Sequence, residues 1–320
     1  LSITGTNVTL PIGMLADGAT IHEPNGNPLA IEDFADPCQI SMAVGNNGYV
    51  LDARNMGDSN VWWAQTMEIV STRLGIDMKR QTVPISAQVS STLGGIVTDE
   101  HGRAISGKWS RWFTGLYAAG SSASSGVHGA GIVAGNHLLD SMVGGYAAGS
   151  HAVEYCKTAK FTGKAQIETY LGVAEADLDL DMESVESGPV QRTGPLFAKL
   201  GEIMNSNVGL KRSGDNLASA LEMLEALSID AEKVHLDDKS RLFNTNLLES
   251  IRLKAGIRLA IATVQSAISR EESRGTHQRT DFVESDDESL HHSLVDKDGN
   301  TSTLAIRKGS SGTWILAPDA

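Results

Sequence analysis

A chain of 320 residues, 41% hydrophobic and 20% charged, is long enough for about two domains and apolar enough to bury a core, which excludes a disordered protein. Its 26 basic against 39 acidic side chains give a net charge of -13, which disfavours broad binding to nucleic acid or an anionic membrane. Two cysteines, Cys38 and Cys156, make neither a disulfide framework nor a zinc site and are expected to be buried free thiols in a reducing compartment.

The sequence opens on Leu1-Ser2-Ile3-Thr4-Gly5, without the basic and apolar regions of a secretory signal, and suggests a cut, a processed end or a longer chain. Residues 1–60 are rich in turn signals such as Asp17-Gly18, Asn25-Gly26 and Asn46-Asn47-Gly48, with a short strand predicted at Gly48-Tyr49-Val50-Leu51. Trp62, Met67, Val70 and Leu74 recur at spacings that predict a helix over 61–74, ended by Gly75. Strands are predicted at 95–98 and 115–119, with a turn over 99–103. A small-residue loop from Gly120 to Gly135 then leads into a helix over 136–157, capped by Asn136 and burying Leu138, Met142, Tyr146 and Val153.

Beyond Phe161 the pattern turns helical. Leu217, Ala220, Leu221, Leu224 and Leu227 form one stripe; Leu253, Ile257, Ile261, Val264 and Ile268 form another on a helix over 246–272. An acidic turn over 284–288 precedes strands around 303–307 and 314–316. All apolar stretches are broken well before the ~18 residues of a membrane span, so no transmembrane helix is expected.

Gly129-Ala130-Gly131-Ile132-Val133-Ala134 matches the loose dinucleotide glycine pattern and precedes a helix, but it follows Ser121-Ser122-Ala123-Ser124-Ser125 rather than an apolar strand. The helix end at Asn136 can still offer backbone amides to an electron-rich group. No metal site is expected: adjacent His291 and His292 face different sides and are taken as a surface pair. No G-x-S-x-G element supports hydrolase chemistry. Glu272 to Asp281 is predicted to be a helix terminus with Gly275 just past the end.

Two stretches together resemble the flavoprotein subunits of the fumarate reductase and succinate dehydrogenase family, which includes L-aspartate oxidase. The first is Leu93-Gly94-Gly95-Ile96, Gly115-Leu116-Tyr117-Ala118-Ala119-Gly120, Gly126-Val127-His128-Gly129-Ala130 and Gly135-Asn136-His137-Leu138-Leu139-Asp140. It is similar to the family's M-G-G-I, G-L-[FY]-A-x-G-E and H-G-A-N-R-L-x-x-N-S-L-L-[DE]. The second is Asp238-Lys239-Ser240-Arg241-Leu242-Phe243-Asn244-Thr245, then Glu272-Ser273-Arg274-Gly275, His277, Arg279, Asp281-Phe282 and Asp286-Asp287. It is similar to D-K-S-x-x-[FW]-N-T and E-S-R-G-A-H-x-R-x-D-[FY]-P-x-R-D-D.

The resemblance covers nearly the whole chain but only the second half of a family member, without the part that holds the ADP moiety. It implies an α/β fold, with an α+β capping piece and the end of a flavin-binding domain, followed by a helical domain and a small C-terminal β piece. The implied boundaries are 1–84 for the capping segment, 85–159 for the flavin-domain part, 160–285 for the helical domain and 286–320 for a C-terminal extension. By the same resemblance the cofactor is FAD, contacted around Gly120, Ser121, His128, Gly129, Ala130, Asn136, Leu138 and Leu139. The implied partners are an iron–sulfur subunit and the missing N-terminal flavin-domain segment. The implied setting is cytoplasmic or matrix-like, peripheral to a membrane through partner subunits.

The family holds a dicarboxylate with histidine and arginine side chains, and an arginine delivers the proton. Those positions fall on Ser2, Leu15, Ser90 and Ile132 here, and the family's flavin-contacting glutamate on Ser121. The catalytic residues are therefore unassigned. Three readings follow: an FAD-dependent oxidoreductase acting on a less charged substrate, an inactive structural or docking paralogue in a redox complex, or an ordinary dehydrogenase or reductase if the alignments at Ser90 and Ile132 are wrong.

Overall fold

The computed structural model describes all residues except 7, 32–36, 58–60, 88, 90, 107–110, 134, 161, 183–189, 309–313 and 318–320. The chain divides into two compact units, Leu1–Ser91 and Thr92–Ala320.

In the first unit, β1 (Ser2–Ile3), β2 (Thr20–His22), β3 (Val50–Asp52) and β4 (Val83–Ser86) form an antiparallel sheet in the order β1-β4-β3-β2. Helix α1 (Pro37–Val44) and helix α2 (Ala64–Leu74) complete the unit. Alternation along these short strands sends Ile3, Ile21, Leu51, Val83 and Ile85 into one core, where they meet Leu10, Met14, Val44, Val70 and Met78. Gly75 ends α2 in the left-handed region at φ 69, donating its N–H to the Ser71 carbonyl, as its placement predicts. The helix starts three residues later than expected. Trp62 lies outside it and is 84% exposed, whereas Trp63 packs on the core and donates its indole N–H to Asp17 at 2.8 Å.

The second unit begins with β5 (Ile96–Val97), β6 (Arg103–Ser106), β7 (Arg111–Tyr117) and β8 (Ala123–Ser124). β5 pairs in parallel with β8, and β6 pairs antiparallel with β7. Helix α3 (Asn136–Thr158) follows, then α4 (Lys164–Met182), α5 (Thr193–Asn207), α6 (Gly214–Ala231) and α7 (Thr245–Ser269). The expected stripes on α6 and α7 meet: Leu217, Leu224, Leu227, Leu253, Ile257 and Val264 are buried together, with Leu221, Ile261 and Ile268 half-buried at the margin. Ser213 caps α6 and Asn244 caps α7 with side-chain oxygens on orphan amides. The chain closes with β9 (His291–Val295), β10 (Thr301–Lys308) and β11 (Trp314–Ala317), an antiparallel sheet in the order β11-β10-β9. Among the described residues no helix is long and apolar enough to cross a membrane.

Several local expectations are corrected. Gly135, at φ 87, occupies the cap of α3; Asn136 is the first helical residue and its side chain makes no cap bond, because a left-handed glycine already turns the chain into the helix. Leu138, Met142, Tyr146 and Val153 are exposed rather than buried: no described element covers that side of α3. Cys156, on the same helix, is also exposed; the side chain of Cys38 lies outside the description. Gly275 does not end a helix, since α7 stops at Ser269 with extended Arg270 as its cap, and Gly275 sits in a separate turn.

Candidate functional site

The residues singled out in the flavin-like stretch gather between the end of β7 and the start of α3. Strand β7 delivers Gly120, buried and at φ 60, against the helix: a Cβ there would stand 2.5 Å from the Ser141 hydroxyl. Close approach of the two backbones thus requires glycine at this position. Ser121 is exposed in the short turn that follows.

The chain then folds into two successive tight turns, with Gly129 N–H on the Gly126 carbonyl and Gly131 N–H on the His128 carbonyl, each at 3.2 Å. His128 is largely buried, and its Nε2 faces the Asp140 carboxylate at 3.4 Å without a well-formed hydrogen bond. Ala130, Ile132 and Asn136 are half-buried, Gly129 is exposed, and Leu138 and Leu139 lie exposed on the first turn of α3. The Asn136 N–H donates to the Val133 carbonyl at 3.1 Å, but the turn carries no acidic side chain and no side-chain cap, so its following amides and the positive end of its dipole stay available to an electron-rich group.

The remaining predicted positions are elsewhere. Ser2 belongs to β1, and Leu15 closes a short 3-10 turn and packs on the core of the first unit. Ser90 lies outside the described residues.

Sequence reasoning missed the support behind the loop. The Arg274–His277 turn lays Gly275 against Ala130, where a Cβ would come within 2.6 Å of the Ala130 carbonyl oxygen. That carbonyl accepts both the N–H of Thr276, at 2.8 Å, and its hydroxyl, at 2.7 Å. His292 was taken as a surface residue; its Nε2 is buried without a partner among the described residues and stands where a Cβ on Gly126 would approach to 2.8 Å. The lone glycine inside a charged run and the period-2 setting of His292 were the only available signals.

A network of charges holds this turn. Glu272 is fully buried between Arg270 and Arg274 and accepts the Asp286 N–H at 2.9 Å. Burial alone would raise its carboxyl, but the hydrogen bonds from Arg274, the Asp286 amide and Arg270 hold it below the ordinary value. His277 accepts from Arg212 at Nδ1 and donates from Nε2 to the Arg270 carbonyl, which fixes its tautomer. Burial, with the Arg212, Arg270 and Arg279 charges adding to it, pushes that imidazole down to about 4 against the opposing pull of the carbonyl bond. Arg279 grips Asp281 through two bonds and donates to the Ala267 carbonyl at the end of α7.

Known proteins share both the sequence and the fold of this chain. The family described as FAD binding domain matches residues 56–138, and that described as fumarate reductase flavoprotein C-term matches residues 197–314. The chain is 30% identical over 258 residues to the fumarate reductase flavoprotein subunit of Escherichia coli, covering 79% of this chain and 41% of that protein. It is 31% identical over 257 residues to the succinate dehydrogenase flavoprotein subunit of Coxiella burnetii, covering 79% and 43%. A solved E. coli quinol fumarate reductase flavoprotein, at 24% identity, superposes with a TM-score of 0.80 over 99% of this chain and 57% of its own. The chain thus spans about two-fifths of the length of these curated relatives.

Proposed function

This chain belongs to the family of fumarate reductase and succinate dehydrogenase flavoprotein subunits, and we propose that it forms part of an FAD-dependent oxidoreductase whose substrate is not a C4 dicarboxylate. The loop from Gly126 to Asn136 fits the cofactor. The amides that follow Asn136 in the first turn of α3 are donors suited to the electron-rich pyrimidine edge of a flavin, and the loop's glycines allow close approach. FAD, when bound, supplies a centre that gives or takes a hydride.

The observation that carries the substrate reading is the chemistry at Ile132 and Leu15. Ile132 follows the cofactor loop where the family aligns a guanidinium, and Leu15 packs on apolar neighbours where the family aligns its proton donor. Neither side chain can pair with a carboxylate or deliver a proton. A carboxylate placed against either side chain would be stranded without a charge partner, at a cost of several kcal/mol. Ile132 would serve instead to exclude water beside the cofactor loop, which suits a neutral or singly charged organic substrate.

The exposed row Leu138, Leu139, Met142, Val143 and Tyr146 on α3 supports docking of the remaining flavin-domain segment on this unit. An iron–sulfur subunit as electron partner, and a peripheral place on a membrane-bound complex, belong to the same proposal.

The test is the absorbance spectrum of the full-length protein, followed by dye-linked assays with fumarate and succinate. The expected outcome is bound flavin without turnover of either diacid. A protein without flavin would leave the docking-paralogue reading, to which Ser121 in place of the family's glutamate points. Ready turnover of fumarate or succinate would overturn the substrate reading.

A further inference from the structure

The cofactor loop is braced from behind by a segment outside the stretch matched by the FAD-binding family. Thr276 is separated from Ala130 by 146 positions, yet both its N–H and its hydroxyl converge on the Ala130 carbonyl oxygen. The Thr276 methyl also faces Gly131, where a Cβ would meet it at 3.7 Å. On the other side of the loop, the His292 imidazole fills the space beside Gly126.

The two contacts are joined mechanically. Arg270 donates to the carbonyls of Ser289 and His291, next to His292, and pairs with Glu272. Glu272 in turn holds Arg274, two residues before Thr276. Buried charge pairs of this kind keep one geometry because each partner has already lost its water and would be left uncompensated if the others moved.

We propose that Thr276 is a positioning residue of the cofactor loop: its hydroxyl locks the Ala130 carbonyl, and with it the turn over 128–131 that leads to Ile132 and α3. The ligand in this proposal rests on the flavin reading above, whereas the locking of the loop stands apart from it. Fixing the Ala130–Gly131 peptide plane holds the Gly131 N–H on the His128 carbonyl, so the hydroxyl acts on the turn, and through it on the ligand site, without touching the ligand.

The experiment compares Thr276→Val, which keeps the shape and loses the donor, with Thr276→Ser, which keeps the donor and loses the methyl. Amide hydrogen exchange of residues 128–133 in the full-length protein is the first readout, and the FAD dissociation constant is the second. Thr276→Val is expected to speed exchange at these amides about fivefold, the ratio one ordinary hydrogen bond supplies, and to weaken FAD by a similar factor. Thr276→Ser is expected to behave as the parent protein in both. Unchanged exchange in Thr276→Val, or equal loosening in Thr276→Ser, overturns the proposal. Faster loop exchange in a protein that binds no flavin would uphold the brace while removing the flavin reading.

Discussion

Helices α3 and α7 have nearly the same length, 23 and 25 residues, and both carry apolar side chains at helical spacing. Their surroundings differ. Seven residues of α7 are buried, among them Leu247, Leu253, Ile257 and Val264, because α5 and α6 lie against them. On α3 Ala148 is the only buried residue among those described, while Leu138 is 71% and Tyr146 80% exposed. The ends differ too: Asn244 caps α7 through its side chain, whereas Asn136 makes no such bond on α3. An apolar row at helical spacing specifies a face that needs a partner; it does not say whether the partner is in the same stretch of chain. On α7 the partner is local, and on α3 it is the proposed remainder of a flavin domain.

The comparison is broken most directly by truncating one leucine on each helix. Leu253→Ala is expected to cost about 2–5 kcal/mol, by lost transfer energy and a residual cavity. Leu138→Ala in this chain is expected to change stability by less than about 0.5 kcal/mol. Denaturant midpoints of the two variants decide it, and equal losses would show that α3 is covered after all.

Next in size is the dependence on pH, which sharpens the role of the turn beyond α7. Burial lowers the His277 imidazole to about 4, so it stays neutral in the folded chain where the unfolded chain takes up a proton, and burial lowers His292 in the same direction. Stability therefore falls as pH drops below the ordinary histidine value of about 6.5, and the His277 contribution levels off below about 4. Melting temperatures measured from neutral pH to pH 5 are expected to decline in the parent and less steeply in His277→Gln. An identical slope in the variant would remove His277 from the account.

The smallest contrast lies at the helix starts. Asn244→Ala should cost about 1 kcal/mol, the usual value of a side-chain cap. Asn136→Ala should cost only a fraction of that, since Gly135 already makes the turn. Thermal melts of the pair check this, and a larger loss at Asn136 would place an unrecognised bond there.

The family runs were legible in the sequence because they are long and ordered, and family matching and backbone likeness agree with them. The α6 and α7 stripes were legible because a helix repeats its face every three to four residues. The support for the cofactor loop was not. Gly275 looked like a helix end because glycine commonly stands there, yet its place is dictated by the Ala130 carbonyl. His292 looked exposed because a neighbouring pair in a strand carries no sign of which side meets a loop more than 160 positions earlier.

What the amino-acid sequence determined by itself is the set of local periods and stops: the α6 and α7 stripes, the stop at Gly75, and the glycine-rich passage from β7 into α3. Only the tertiary structure decided which apolar rows are covered, which carbonyl Thr276 holds, and which imidazoles lose their water. Those outcomes depend on side chains brought together across the chain, and burial and hydrogen bonding act on that spatial arrangement rather than on any local pattern.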